Sequence, residues 1–344
     1  MKNRLMTIVL SLVMLTAFGQ ASDDFSQTIR KEFNTTAETT LEITNQFGKV
    51  KCENWNKPMV GVVVTITAKT DNKQKADKIL AAISVQMEQK NNAIALVTKI
   101  GDMPSRNKGD NFNIDFVVNL PETMALSIEN EFGDVVCDRR KGDFELELSY
   151  GAYQLQALDG QRNKLEISFS KGVINSASNA DITLSYSGLQ MESVGTVKLH
   201  SEFSELSLTQ CNALDLQSAY DKLNFEKIGS FKGETAFSTV KLGEITADLT
   251  AEFEYGAVSI RKLASTLGFF DARFEFSSLK IEDVGAIRFK TLAVDIEHGN
   301  FNYPSGLNVK VEKQGYTEVK YRAEDAAGTA KFKVTATNSN ISMR

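Results

Sequence analysis

Apolar and polar residues alternate along most of this chain, in short runs centred on a recurring aromatic residue. The aromatic residue returns every 17 to 22 positions between residues 132 and 298. Alternation with period two predicts β-strands with one buried face, and self-similarity at a short period is typical of stacked repeat architectures. The recurring positions are Phe132, Tyr150, Phe169, Tyr186, Phe203, Tyr220, Phe237, Tyr255, Phe276 and His298.

The phase of the alternation changes at each aromatic residue. Before it, the apolar positions lie two and four residues away, as at Leu148 and Leu146; after it, they lie three and five residues away, as at Tyr153 and Leu155. A two-residue corner explains this change, and its second position usually holds Gly, Ser or Asp, which suit tight bends. The pattern therefore predicts units of strand, corner, strand and turn.

The aromatic position shares the inward phase of the strand before it, which predicts rings stacked in the core. A less favoured alternative is a ladder of tyrosines that binds glycans by stacking. Tyr and Phe alternate strictly from Phe132 to Phe276. Either one ladder alternates coil by coil, or about 34 residues form a coil with separate Tyr and Phe ladders. The sequence leaves both open.

The units are nearly constant in length, and no proline occurs between Pro121 and Pro304. Strands bonded on both edges cannot spare an N–H group, so a long ladder should lack proline. Constant units favour a solenoid over an antiparallel meander, because each coil must place like residues above like. We therefore expect an all-β fold, a parallel β-solenoid of β-helix type. Its repeat units hold about 17 residues in two short strands, and a small α+β insert lies near the N-terminus.

Two stretches repeat one phrase, LEITNQFGKVKC at 41–52 and LSIENEFGDVVC at 126–137. They predict neighbouring coils on either side of an insert. Asn45 and Asn130 take equivalent inward positions, where stacked amides can bond each other. Cys52 and Cys137 are equivalent as well. Strand spacing would allow a disulfide, but parallel side-chain directions favour buried free thiols.

Residues 53–125 interrupt the repeat with a strand–helix–strand–strand pattern. The first strand covers 59–70, and Asp71 or Asn72 is the expected N-cap of the helix. The predicted apolar face of that helix comprises Ala76, Ile79, Leu80, Ile83 and Met87. The end of the chain, TNSNISMR, resembles a last, truncated corner and strand. The predicted segments are 1–21 (signal peptide), 22–125 (first coil and insert), 126–303 (solenoid repeats) and 304–344 (C-terminal strands or cap).

The N-terminus has the layout of a secretory signal peptide. Lys2 and Arg4 precede an apolar run over 5–18, and a small-residue exit follows at 19–21. No second long apolar run occurs, so the sequence predicts no membrane-spanning helix. Without Lys2 and Arg4 the net charge moves from −5 to −7, and no basic cluster suggests nucleic-acid binding. We therefore expect an extracytoplasmic protein: periplasmic, on the outer-membrane surface, or secreted.

Catalytic, cofactor and metal motifs are absent from the sequence. Carboxylates are scattered over outward positions and form no consistently acidic column. His200 and His298 are the only histidines, and no third ligand stands at motif spacing. The sequence predicts no enzyme and no cofactor. The positions of interest are structural corner residues. They are Asn45, Phe47, Gly48, Asn130, Phe132, Gly133, Tyr150, Phe169, Tyr186, Phe203, Tyr220, Phe237, Tyr255 and Phe276.

The order of an N-terminal apolar segment, LEITNQFGKVKCENW, the insert, VVNLPE and units such as LSYGAYQL resembles one family. It is similar to adhesin-like β-solenoid proteins of the DUF4097 family and their head-GIN-domain relatives in Bacteroidetes and other bacteria. The resemblance implies a right-handed solenoid and an adhesin role. Our leading hypothesis is an exported, non-enzymatic surface module that binds a glycan or a protein. The alternatives are a periplasmic scaffold or stress-signalling protein and, less favoured, a carbohydrate-active enzyme.

Overall fold

In the computed structural model, which describes residues 24–105 and 109–344, the chain is a parallel β-solenoid, as predicted. The described residues form 26 strands and one helix. The expected signal peptide lies outside them. The first elements are β1 (Asp24–Asn34), β2 (Thr40–Gln46), β3 (Val50–Asn54), β4 (Met59–Lys69), α1 (Lys73–Ala82), β5 (Ile83–Lys90), β6 (Ala93–Ile100) and β7 (Asn111–Leu120).

The central coils follow without another helix. Their strands are β8 (Ala125–Glu131), β9 (Val135–Cys137), β10 (Phe144–Ser149), β11 (Ala152–Leu158), β12 (Asn163–Ser168), β13 (Lys171–Ser185), β14 (Gly188–Glu202), β15 (Glu205–Ala219), β16 (Lys222–Ala236) and β17 (Thr239–Glu254). The last are β18 (Ala257–Leu263), β19 (Phe269–Glu275), β20 (Ser278–Asp283), β21 (Phe289–Glu297), β22 (Asn300–Asn302), β23 (Lys310–Gln314), β24 (Glu318–Glu324), β25 (Ala330–Thr337) and β26 (Asn340–Met343).

One coil contains one repeat unit, which decides between the two coil lengths left open by the sequence. β13 pairs in parallel with β14 at a shift of one unit, Lys171 opposite Gly188 and Ser185 opposite Glu202. The following pairs, β14 with β15 and β15 with β16, keep the same shift. A single aromatic position therefore recurs above itself in every coil.

The N-terminal lobe closes the first end of the solenoid. β4 pairs antiparallel with β1 and β7, while β7 runs parallel to β3 of the first coil. The helix starts at the predicted N-cap, where the Asn72 side chain accepts a bond from the Lys75 backbone N–H. It ends at Ala82, so the prediction of Ile83 and Met87 as helical was wrong. They belong to β5, which pairs antiparallel with β6, because pairing overrides helical spacing there.

The other end of the solenoid is assembled out of chain order. β25 pairs in parallel with both β19 and β21, and β26 pairs with both β20 and β22. The last two strands thus form a corner and strand, as predicted, but they lie between the two preceding coils. β24 then pairs antiparallel with β21, and β23 covers β24 with exposed and mostly charged residues. A charged edge of this kind discourages pairing with other chains.

The core lies between the strands of each coil. It holds two stacked pairs of side chains at equivalent positions of the repeated phrase, one of asparagines and one of cysteines. Asn45 and Asn130 are buried, and the Asn45 Nδ2 donates to the Asn130 Oδ1 over 3.0 Å, which confirms the predicted hydrogen bond between the two side-chain amides. Cys52 and Cys137 are paired in register on β3 and β9, and both are buried and free, as favoured. The hydrogen bond with Cys137, together with burial, raises the pKa of the Cys52 thiol well above its usual value.

Candidate binding surface: an aromatic ladder at the corner

The recurring aromatic residues occupy a left-handed backbone conformation. From Phe47 to Phe276 their φ angles lie between 47° and 59°, a region that non-glycine residues seldom adopt. The change in φ turns each Cβ away from the core. The rings at Phe132 to Phe276 are 44–55% exposed, so the prediction of core rings was wrong. The last inward side chain of the preceding strand therefore lies two residues before the ring, as Ser218 does before Tyr220, and not at the ring itself.

The residue after each ring points inward and holds the corner closed. Ser187 is buried; its Oγ donates to the Ser185 carbonyl over 2.7 Å and accepts the Ser170 backbone N–H over 3.2 Å. The next coils repeat this bond, as the Ser187 N–H donates to the Ser204 Oγ over 3.0 Å and the Ser204 N–H to the Asp221 Oδ1 over 2.7 Å. A column of side-chain oxygens therefore satisfies the corner N–H groups from coil to coil.

Some corner positions hold glycine or aspartate in place of serine, and Gly133 and Asp221 are examples. At Gly133 an added Cβ would lie 1.9 Å from the Gly48 carbonyl oxygen, so the neighbouring backbone occupies the space that a side chain would need. Asp221 is buried, and this desolvation raises the pKa of its carboxyl, although bonds from Ser218 and Ser204 partly offset the effect.

The ten rings stack into one continuous column, which we call the aromatic ladder. Neighbouring centroids are 4.8–5.1 Å apart and their planes differ by 2–14°. Since each ring rises by one strand spacing, the ladder is about 45 Å long. Its members are Phe47, Phe132, Tyr150, Phe169, Tyr186, Phe203, Tyr220, Phe237, Tyr255 and Phe276.

The ladder presents ring edges to solvent and hides ring faces. Each interior face is covered by the next ring at about 5 Å, and the outer face of Phe47 meets the edge of Phe112 at 5.3 Å. The interior ring faces of the ladder are therefore not free for sugars to stack on, which was the less favoured alternative from the sequence. Beyond Phe276 the corner position belongs to Asn338 and then to His298, both with positive φ.

The tyrosines of the ladder carry hydroxyl groups that find no partner within residues 24–105 and 109–344. Among the described residues, no hydrogen bond involves the side chains of Tyr150, Tyr186, Tyr220 or Tyr255. Tyr153, by contrast, is buried outside the ladder, and its hydroxyl donates to the Gly188 carbonyl over 2.9 Å. Burial raises the pKa of Tyr153. The ladder thus offers a phenol in every second coil.

Opposite charges border the ladder on its two sides. The positions one and three residues before the rings form an acidic face, on which Arg273 is the only lysine or arginine. From neighbouring positions, Lys164 pairs with Glu166 and Arg322 with Asp295. These carboxylates are Glu129, Glu131, Glu147, Glu166, Glu202, Glu234, Glu252, Glu254, Glu275, Asp295 and Glu297. The positions two and four residues after the rings form a basic face. Its charged residues are Lys49, Lys51, Lys171, Lys222, Lys241, Lys280, Asp134 and Glu205.

Each face also has a shallow groove beside the ladder. The groove on the basic face has a volume of about 720 Å³, and Gly172 and Gly188 are among the residues that line it. The groove on the acidic face has a volume of about 340 Å³, with Ala219 and Ala236 between Glu202 and Glu254. Because Gly188, Ala219 and Ala236 are small, the ladder rings beside them project above the two grooves.

The histidines and carboxylates do not converge on a reactive centre. His200 lies on the acidic face with its Nε2 4.0 Å from a Glu202 oxygen, whereas His298 is at a corner near the far end. No group of three or more His, Cys, Asp or Glu side chains within 24–105 and 109–344 is arranged to hold a metal ion. The ten-residue helix α1, the only helix in those ranges, is too short to cross a membrane.

Sequence reasoning identified the ladder positions but not their exposure. The residue type at the end of the series could have revealed the exposure, because the polar side chains of His298 and Asn338 occupy the same corner position there. Asn tolerates the left-handed conformation better than other non-glycine residues, and a polar side chain there would be costly in a core.

No family model and no curated protein matches this chain. Several solved structures are similar to it at low sequence identity and low TM-score. A "putative adhesin" from Bacteroides fragilis is 12% identical, with 92% of this chain and 97% of that chain covered and a TM-score of 0.33. A "putative adhesin" from Parabacteroides distasonis is 8% identical, with 92% of this chain and 97% of that chain covered and a TM-score of 0.35. A "putative lipid binding protein" from the same organism is also 8% identical, with 93% of this chain and 96% of that chain covered and a TM-score of 0.35.

Proposed function

We propose that this protein is an exported, non-enzymatic binding module with an adhesin-like role, and that the aromatic ladder is its binding surface. The observation that carries the proposal is the exposure of a 45 Å column of half-buried rings on a rigid scaffold. An apolar strip of this length on a protein surface, about several hundred Å² in area, is typical of an interaction site.

The backbone conformation supports a role for the rings beyond folding. A left-handed residue costs roughly 1–2 kcal/mol, and Asn or Gly would adopt that conformation with less strain. Asn338 occupies the same corner within this chain, so the fold accepts a residue without a ring. Stacking offsets the strain, yet ten consecutive rings exceed what closing the corner requires.

Rigidity favours binding at the ladder. Every interior ring of the ladder is held by a neighbour on each side, and the corner backbone is bonded from coil to coil, for example from the Tyr186 N–H to the Glu202 carbonyl over 3.0 Å. A ligand that rests on the ladder therefore has few side chains to order, which lowers the entropic cost of binding.

Export is supported by the charged and apolar pattern of residues 1–21, and protease shaving tests the location. Intact cells that express a tagged protein are treated with protease, next to permeabilised cells. Loss of the tag from intact cells is the expected result. Protection until permeabilisation would contradict the adhesin role and favour the periplasmic scaffold.

Ring removal tests the surface itself. The variant Tyr186→Asn/Phe203→Asn/Tyr220→Asn removes three adjacent rings and keeps a residue that suits positive φ. We expect its retention on fixed bacterial cells and on a glycan array to fall at least tenfold relative to the unchanged protein, while Tyr316→Asn, at a fully exposed tyrosine outside the ladder, retains full binding. Equal retention of the unchanged and ring-removed proteins, with the fold intact by circular dichroism, would refute the proposal.

A further inference from the structure

We propose that the ladder binds a single linear polysaccharide chain, neutral or rich in amino sugars, that lies along the solenoid axis. In this arrangement the hydroxyls of Tyr150, Tyr186, Tyr220 and Tyr255 are the periodic hydrogen-bonding groups. This inference rests on the proposed function and names the ligand class of the same surface.

The alternation of Phe and Tyr is the first observation that supports it. Stacking alone does not require the alternation, since the Phe47–Phe132 pair stacks with its centroids 5.1 Å apart, the same distance as in the Phe132–Tyr150 pair. Strict alternation over nine coils nevertheless places one free phenol in every second coil, about 10 Å apart. A phenol both donates and accepts hydrogen bonds.

The repeat of an extended β-1,4-linked pyranose chain matches the spacing of the ladder tyrosines. Successive rings of such a chain are flipped, so the same chemical face returns at every second sugar. One sugar spans nearly one strand spacing, and one disaccharide therefore spans nearly two coils. Equivalent hydroxyls of the polymer then meet successive tyrosines, while the phenylalanine edges between them contact the apolar C–H groups of the sugar.

The width of the ladder favours a polymer chain over a folded partner. The column is one ring wide, so a protein resting on it alone would bury on the order of 300 Å² per side, whereas stable complexes bury about 800 Å² per partner. A single polysaccharide chain has the width of one ring and uses the full length of the ladder.

Peptide ligands lack their usual contacts here. A strand that extends a sheet needs free backbone groups, but the corner N–H groups already bond the neighbouring coil, as from Phe203 to Ala219 over 3.1 Å. A polyproline helix docks against aromatic-lined grooves, and in the ladder the interior ring faces are covered.

Charge beside the ladder restricts the polymer further. The acidic face carries its carboxylates one and three residues from the rings, so it repels uronic-acid and sulfated polymers and attracts protonated amino sugars. Carboxylates also accept hydrogen bonds from neutral sugar hydroxyls. The basic face offers six lysines beyond the opposite edge of the rings, next to the carboxylates of Asp134 and Glu205.

Affinity electrophoresis in native gels tests the inference. The probes are hydroxyethyl cellulose, glycol chitosan, alginate and polyproline. We expect retardation by the first or second and none by alginate or polyproline. The variant Tyr150→Phe/Tyr186→Phe/Tyr220→Phe/Tyr255→Phe keeps every ring and should weaken binding roughly 30-fold or more, as expected from the loss of four hydrogen bonds. Tyr316→Phe is the matched control and should bind as the unchanged protein does.

A second variant separates spacing from number. Tyr150→Phe/Phe203→Tyr/Phe237→Tyr/Tyr255→Phe keeps four hydroxyls but places them in adjacent coils, so only Tyr186 and Tyr220 keep their original places, and we expect binding weaker than that of the unchanged protein and stronger than that of the four-phenylalanine variant. Undiminished binding by either variant, retardation by alginate or polyproline alone, or no retardation by any polysaccharide would overturn the inference. If the ring-removed variant binds as well as the unchanged protein, the proposed function fails; if it loses binding while the four-phenylalanine variant keeps it, only this inference fails.

Discussion

Removing one interior ring of the ladder should destabilise the solenoid, although the ring is half exposed and its backbone is strained. Tyr220 stacks on Phe203 at 4.8 Å and on Phe237 at 4.9 Å, with planes within 4°. Replacement by Asn removes both stacks and keeps a residue that accepts positive φ. The comparison is with Phe276, which stacks only on Tyr255 because Asn338 follows it in the adjoining coil.

The magnitude follows from three contributions. Two stacks are worth about 0.5–1.5 kcal/mol each, and the half of the ring that is buried contributes about 1 kcal/mol more. Relief of left-handed strain returns about 1 kcal/mol. The net loss for Tyr220→Asn is therefore about 1–3 kcal/mol, and the loss for Phe276→Asn is smaller by the value of one stack, about 1 kcal/mol.

Urea unfolding followed by circular dichroism measures both variants, with the slope held common to the series. Tyr220→Phe serves as the control and should lie within about 0.5 kcal/mol of the unchanged protein, because it keeps the ring. If Tyr220→Asn proves as stable as the unchanged protein, the stacks do not repay the strain and our reasoning about the ladder is wrong. Equal losses at the interior and end positions would refute the stacking argument in particular.

Three further changes test the corner. Ser187→Ala leaves a buried N–H without its acceptor and should cost about 1–3 kcal/mol in thermal or urea unfolding; no loss would mean that water replaces the hydroxyl. Gly133→Ala should cost about 3 kcal/mol or more because its Cβ overlaps a backbone carbonyl, whereas Gly306→Ala, with open space around it, should be nearly neutral. Asp221 has a pKa that burial raises above its unfolded value. Its proton is held more tightly in the native state, so the associated stability is present below the unfolded pKa and is lost as pH rises through the folded pKa. Asp221→Ser should therefore gain stability relative to the unchanged protein between acid and neutral pH, and a difference in Tm that does not change with pH would contradict this assignment.

The sequence by itself determined the repeat, the strands and most of the core. Alternation with period two is enforced wherever one strand face is buried, so Leu146, Leu148 and Leu155 could be placed inward without a structure. The pairing of Asn45 with Asn130 followed from their equivalent positions in the repeated phrase. The signal peptide at 1–21 and all the segment boundaries stay predictions.

Only the tertiary structure decided where the rings point, how long a coil is and how the far end is assembled. Alternation describes extended backbone, so it cannot register one residue with positive φ, and that single dihedral moves each ring from the core to the surface. Register depends on which strands pair, and both coil lengths satisfied the same local pattern until Lys171 was found opposite Gly188. The insertion of β25 and β26 between earlier coils likewise reflects contacts between residues far apart in the chain, for which a local pattern holds no information.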